Sequence, residues 1–297
     1  MGALANLTPE VQSLLSASTT KKVEWIRADT WVHTPTTRAA FQWMEYLFRS
    51  GRNIRPLCMQ IIADGGMGKT AVLKSFLDLH PVQEMPDDPA RLQRPVLYAE
   101  CKPDSNGVYA VRHAILKAAW PKAKRFTCDE REIDSTLQAQ GIRELLLDEF
   151  GELTKGGASS HKRALSELKR ISNESRVNIV AATVSNLAHV LDVDRQFANR
   201  FKRKITISPW SLSQDLRNFV FGLECNLPFP ERSSLDGPEI LPWIAQQSDG
   251  NTKEIVELLR LAALHALDAN HKCIAMEHLK AAAESELPPN IALATAI

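Results

Sequence analysis

The stretch IIADGGMGKTAVLKSF, Ile61–Phe76, decides how this chain is read. A short apolar run stops at closely spaced glycines, a Lys-Thr pair follows, and a segment with helical spacing begins at once. That order matches the phosphate-binding loop GxxxxGK[ST] over Ala63, Asp64, Gly65, Gly66, Met67, Gly68, Lys69 and Thr70, running into Ala71. The chemistry needs each part. A strand delivers the loop, the glycines let backbone N–H groups point inward, and the first turn of the next helix offers unpaired N–H groups and its positive dipole end to phosphate. Lys69 reaches the outer phosphates, and the Thr70 hydroxyl is a ligand for Mg2+. Ala63 departs from the pattern, which has glycine there; alanine is small but excludes a left-handed backbone at low cost.

Five short apolar runs, at 57–63, 95–100, 143–149, 178–183 and 204–208, each have the length of a buried strand. Helical patterns lie between them at Val72–Leu79, Val111–Ala119 and Ala164–Ile171. Strands alternating with helices predict an α/β fold with a five-stranded parallel sheet between helices. Ahead of the loop, Thr34 and Pro35 start a helix with Phe41, Met44, Leu47 and Phe48 at helical spacing, closed by Gly51. After Trp210 only helical patterns remain, clearest at 253–269. The expected division is a helical lead-in over 1–50, a nucleotide-binding core over 51–210 and a helical lid over 211–297.

ELLLDEFGEL (144–153) is an apolar strand ending in two adjacent carboxylates, about eighty residues after the glycine loop. At that separation Asp148 is the residue to hold Mg2+ with Thr70, and Glu149 the general base that polarises an attacking water. The extra strand between the motifs, and a glutamate directly after the aspartate, point to the ATPase branch of P-loop proteins, with ATP and Mg2+ as cofactors. IVAATVSN (179–186) puts Thr183 at the tip of the next strand, where a hydroxyl can orient that water; Asn186 is the second candidate. Arg200, in ANRF before the last strand, is placed to face the nucleotide of a neighbouring subunit. Arg195 is the alternative, and a solvated role for either stays open.

The 297 residues, 44% hydrophobic and 24% charged, suit an ordinary soluble protein with a sizeable core. Five cysteines lack a CxxC pair or ligand-spaced histidines, which argues against a zinc site or a disulfide framework and fits a reducing cytoplasm. No run approaches the roughly 18 apolar residues of a membrane span, and the N-terminus shows neither a secretory leader nor a myristoylation pattern. No membrane partner is expected. The net charge of +1 hides an asymmetry: residues 211–297 carry six Lys/Arg against twelve Asp/Glu, and residues 58–210 carry 23 against 19. Two basic clumps, Arg112–Arg131 and Lys155–Arg176, each hold six basic and two acidic residues. A solvated helix face accounts for either alone; two flanking one sheet favour a polyanion. The candidate DNA contacts are Lys102, Lys122, Lys124, Arg125, Lys155, Lys162 and Arg163.

GGMGKT, LLLDEFGEL, IVAAT and ANRF in this order, followed by SDGNTKEIVELLRLAALHAL (248–267), resemble the AAA+ ATPases of the TniB/TnsC transposition type. VEWIRADTWVHTPTTRAAFQWMEYLF (23–48) is similar to the TniB lead-in. By this resemblance Lys253, after GNT, occupies the position where many AAA+ lids carry a second sensor arginine; a lysine offers a point charge without the planar fork. The resemblance implies a homo-oligomer, ring or helical filament, that assembles with ATP on double-stranded DNA without reading sequence. It implies recruitment of a DDE transposase of the TniA/TnsB kind, with a target-selection adaptor or RNA-guided complex as a further partner, and hydrolysis that promotes disassembly. The compartment it implies is the bacterial cytoplasm, at the nucleoid when on DNA. Two other classes compete: another nucleic-acid AAA+ ATPase of the helicase-loader or origin-binding type, and a signalling or scaffold ATPase switch directed at protein alone.

Overall fold

The computed structural model describes residues 7–51, 55–85, 88–191, 198–285 and 289. In chain order the helices are α1 (Pro9–Leu14), α2 (Thr19–Arg27), α3 (Pro35–Arg49), α4 (Lys69–Leu79), α5 (Gly107–Ala119), α6 (Glu130–Ala139) and α7 (Ala158–Glu174). They continue with α8 (Gln214–Glu224), α9 (Ile240–Gln247), α10 (Thr252–Asp268) and α11 (Met276–Glu284). The strands are β1 (Cys58–Ala63), β2 (Gln83–Met85), β3 (Asp88–Gln93), β4 (Val96–Glu100), β5 (Glu144–Asp148), β6 (Asn178–Thr183) and β7 (Arg203–Ile207). All five strands expected from the sequence form, within a residue or two of their expected bounds. The β2–β3 hairpin was not among them: its strands are polar and mostly exposed where described, so no apolar run marks them.

The chain divides into two compact units, 36–208 and 1–35 with 209–297. The expected lead-in over 1–50 is therefore shared between them, with α1 and α2 on one side of the division and nearly all of α3 on the other. In the helical unit, Val23 and Ile26 of α2 join one core with Leu216, Val220, Ile255, Leu259 and Leu279 of the C-terminal helices. Trp25 Nε1 donates to the Asn226 carbonyl at 2.8 Å, which fixes the angle of α2 on that core.

The other unit is a parallel sheet in the order β4-β5-β6-β1-β7. β1, β5 and β6 are buried along their whole length, as strands covered on both faces must be, whereas the edge strand β7 is largely exposed. Period-two alternation sends Leu97, Leu145, Leu147, Ile179 and Ala181 into a core with Ile115, Leu116, Leu165 and Leu168 of α5 and α7. The alternate residues, Met59, Ile61, Leu146 and Val180, are buried on the face that meets α4, whose Val72, Leu73 and Phe76 are also buried. α3 is tied to this sheet by Asn178 Nδ2, which donates to the Leu47 carbonyl at 2.7 Å.

Two charged features sit inside this unit. Arg112 of α5 is buried and donates through Nε and Nη2 to both carboxylate oxygens of Glu167 on α7, at 2.8 and 3.0 Å. Arg170 joins Glu167, Asp134 and Glu174. Burial alone would raise the Glu167 pKa, but the bonds from Arg112 and Arg170 outweigh it and hold it lowered. Removing Glu167 would take from Arg112 and Arg170 the buried acid they share. Glu144, at the start of β5, is the opposite case: fully buried, with no hydrogen-bond partner for either oxygen among the described residues. Burial, with a smaller push from the Glu45 carboxylate, raises its pKa well above the ordinary value.

An acid whose pKa is raised by folding weakens the fold once the pH exceeds its unfolded value of about 4.3, and does so increasingly until the folded value is reached. Glu144→Met is therefore expected to stabilise the protein, and the gain in melting temperature over wild type should grow between pH 5 and pH 8. A gain that stays constant across that range would show that Glu144 ionises alike in the folded and unfolded states.

Candidate functional site

β1 pairs with β6 on one side and β7 on the other, with Ile62 opposite Thr183 and Ala63 opposite Ile207. β4 ends beside β5 with Glu100 opposite Asp148. The tips of β1, β5 and β6 thus carry the loop 64–68, the Asp148-Glu149 pair and Thr183 to one end of the sheet. Ala63 is still part of β1 and not among the positive-φ residues, so the missing glycine strains nothing. The left-handed positions fall on Gly66 and Gly68, with φ of 77° and 91°, where a side chain would be strained. Gly68 is the N-cap of α4 and brings no capping side chain, which leaves the helix start open to an anion.

Lys69 is 5% exposed; its Nζ donates to the carbonyls of Ala63 at 2.6 Å and Asp64 at 3.2 Å, so the ammonium closes the loop on itself. Thr70 Oγ1 donates to Asp148 Oδ2 at 2.6 Å, joining two residues 78 positions apart. The other oxygen, Oδ1, accepts from the Glu149 backbone N–H at 2.9 Å. Glu149 itself is left-handed, with φ 49° and ψ 37°. That conformation costs a non-glycine residue about 1 kcal/mol and turns the chain sharply off the strand tip. No hydrogen bond or ion pair holds the Glu149 carboxylate among the described residues. Asp64, on the exposed loop, accepts from the Ser185 N–H at 3.2 Å and links the β1 and β6 tips. Met67 is buried, and Gly65, Gly66 and Ala71 are exposed.

Two residues that the sequence reading did not single out complete the cluster. Gln60 Nε2 donates to Thr183 Oγ1 at 2.9 Å and to the Ala188 carbonyl at 3.0 Å. The carbonyl can only accept, so the amide nitrogen must face both groups, and the Thr183 hydroxyl proton stays available. Tyr98 of β4 donates its phenol to Asp148 Oδ2 at 2.8 Å. Burial first, and the Asp148 carboxylate second, raise its pKa and keep it a donor. The signal for both was a polar side chain within an otherwise apolar strand, which must find a partner when buried.

The remaining candidates are Arg200, Arg195, Asn186 and Lys253. Arg200 stands where the chain enters β7, its carbonyl accepting from the Cys58 N–H at the start of β1, and its guanidinium bonds Ser172 and Asn173 near the end of α7. It is at the end of the sheet opposite its own glycine loop. Arg195 falls outside the described residues. Asn186 is exposed just past the β6 tip. Lys253 is exposed in the first turn of α10, in the helical unit.

The seven basic candidates are exposed but form two groups. Lys102, Lys155, Lys162 and Arg163 follow the C-terminal ends of β4 and β5. There the loops interlock so closely that a Cβ at Gly107 would lie 2.0 Å from the Ser160 carbonyl oxygen, and one at Gly156 the same distance from that of Asp104. Lys155 is paired with Glu152 at 2.6 Å. Lys122, Lys124 and Arg125 follow α5, whose last carbonyls, at Ala118 and Ala119, accept from Arg94 just before β4. They are therefore at the opposite end of the sheet.

A parallel sheet in this order, with a glycine loop, Lys-Thr and an acidic pair at its tips, defines a P-loop ATPase fold of the AAA+ type. The structure of Cdc6p from Pyrobaculum aerophilum is similar, with TM-score 0.61 and 16% identity over 91% of this chain and 70% of that one. The ORC2 protein of Aeropyrum pernix, solved as ADPNP-ADP complexes, gives 0.58 at 15% over 86% and 70%. The ORC1 protein of the same organism, solved in complex with DNA, gives 0.58 at 20% over 88% and 68%. At these identities the likeness is one of fold. No curated protein matches the chain by sequence. Residues 22–212 match the model of the bacterial TniB protein family, and the chain belongs to that family.

A double-mutant cycle tests the Gln60–Thr183 contact without reference to function. Gln60→Leu and Thr183→Val should each destabilise the protein, with a coupling of about 1 kcal/mol in urea unfolding. Strict additivity would mean that the hydrogen bond is not formed.

Proposed function

We propose that this protein is an ATP-dependent, DNA-bound regulator of transposition, which oligomerises on double-stranded target DNA and brings a DDE transposase to it. The observation that carries the reading is the Thr70–Asp148 contact beneath a left-handed glycine loop, in a chain of the TniB family. The residues fit a nucleotide with Mg2+: inward-curling glycines, an uncapped helix start, a lysine at the lip, and a hydroxyl and carboxylate already in contact. Bound Mg2+ supplies neutralisation of charge across the outer phosphates. Lys69 would exchange two backbone carbonyls for phosphate oxygens, and Thr70 and Asp148 would hold the cation, with Asp148 kept in place by the Glu149 N–H and the Tyr98 phenol. Glu149 takes the proton of the attacking water, which Thr183 orients with its free hydroxyl proton. ADP and phosphate leave as the bond to the bridging oxygen breaks.

Arg200, at the sheet end away from its own loop, suits a neighbour's nucleotide and so an oligomer. Lys253 is assigned to the lid side of the nucleotide by family position alone. DNA association is supported by the basic residues and by the fold shared with a protein solved on DNA. Contacts to phosphate without base readout give strong salt dependence and weak sequence preference. Turnover then releases the assembly.

Sedimentation with a random duplex tests this. ATP should drive large DNA-bound assemblies that Lys69→Ala abolishes and Glu149→Gln prolongs. Assembly with ATP that ignores DNA at low salt would favour a switch directed at protein. The two basic groups are separable in the same assay. Neutralising Lys102, Lys162 and Arg163 together should lower the slope of log affinity against log salt by about two to three, and neutralising Lys122, Lys124 and Arg125 should do so only if the opposite end of the sheet carries DNA.

A further inference from the structure

Asp148 is 1% exposed, and its two oxygens accept from three donors. Two of these, the Thr70 hydroxyl at 2.6 Å and the Tyr98 phenol at 2.8 Å, share Oδ2. The β4–β5 register explains how Tyr98 arrives there. Glu100 is directly opposite Asp148 and Tyr98 opposite Leu146, so Tyr98 is the diagonal neighbour of Asp148 on the same face of the sheet, within reach of a long aromatic side chain. On its other side the Tyr98 ring is capped by Lys74 of α4, whose Nζ lies 5.7 Å from the ring centroid, one helical turn beyond Thr70. The ring is thus held between the helix that follows the glycine loop and the strand that ends in the acidic pair.

We infer that Tyr98 is a positioning residue for the cation site, fixing the Asp148 carboxylate through a donor that is not itself offered to the cation. The inference rests on the nucleotide reading above. The Thr70 hydroxyl would give a lone pair to a cation while its proton stays aimed at Oδ2, so its direction would be set by the cation as well as by Asp148. The donors to Asp148 that are not themselves offered to a cation are one on each oxygen, the Glu149 N–H on Oδ1 and the Tyr98 phenol on Oδ2. The two together set the plane and direction of the carboxylate. Without the phenol, Oδ2 keeps only the Thr70 hydroxyl, whose direction a cation also sets, and the carboxylate is less firmly held. Phenylalanine keeps the ring, its packing and its contact with Lys74, and removes the donor alone.

The test is Mg2+ titration of the full chain with a fluorescent, slowly hydrolysed ATP analogue, comparing wild type with Tyr98→Phe and Tyr98→Leu, alongside binding in EDTA and thermal melting. For Tyr98→Phe the half-saturating Mg2+ concentration should rise roughly tenfold, the scale of one hydrogen bond to a charged acceptor, with metal-free nucleotide affinity unchanged. Tyr98→Leu should shift Mg2+ dependence at least as far. A Tyr98→Phe protein with the wild-type Mg2+ dependence, or a lower half-saturation, overturns the inference while leaving the nucleotide site standing. Equal loss of affinity with and without Mg2+ overturns it as well, since the residue would then serve only the fold. A wild-type protein that binds no nucleotide in either condition overturns both readings.

Discussion

Double-sided pairing of β1 is the constraint from which the site follows. A strand can be buried over all six residues only if both of its edges are hydrogen-bonded and both of its faces are covered, and β6, β7 and the flanking helices do this. Because the strands are parallel, everything that follows a strand tip emerges at one end of the sheet. The glycine loop leaves from β1, Thr183 from β6 beside it, and the acidic pair from β5 one strand further on. The same geometry sends Arg200, at the start of the neighbouring strand, to the far end.

Around the strand tips, polar side chains are held by partners that fix their roles. Gln60 gives its N–H to Thr183 and so leaves the hydroxyl proton of that residue free to be donated. Asp148 is gripped by three donors, and Lys69 is folded onto the carbonyls of its own loop. The cost of strain is concentrated at Glu149, the one non-glycine residue of the cluster with a left-handed backbone, and its carboxylate is also the least tethered of the group.

The charge pattern shows where reading a sequence misleads. Counting treats Arg112 and Arg170 as members of two solvent-facing basic clumps, yet both turn into the interface of α5, α6 and α7 to meet Glu167 and its acidic neighbours. Which way a charge faces depends on the rotation of its helix and on what packs against it, and composition contains neither. The exposed basic residues that remain fall at opposite ends of the sheet because α5 runs antiparallel to the strand before it. Likewise, the lead-in read as one segment is split, since Val23 and Ile26 find their apolar partners among the C-terminal helices.

The sequence alone determined the five strands, the glycine loop, the Lys-Thr pair, the acidic pair and the family, because each is a contiguous pattern whose residues act through local backbone geometry or strand periodicity. The tertiary structure decided that Ala63 costs nothing, since it is a strand residue and not a turn residue, and it decided the partners of the site. Tyr98 with Asp148, Thr70 with Asp148 and Gln60 with Thr183 join positions 50, 78 and 123 residues apart. Such contacts are set by strand register and side-chain direction, and a one-residue slip of β4 or β1 would turn Tyr98 or Gln60 to the other face.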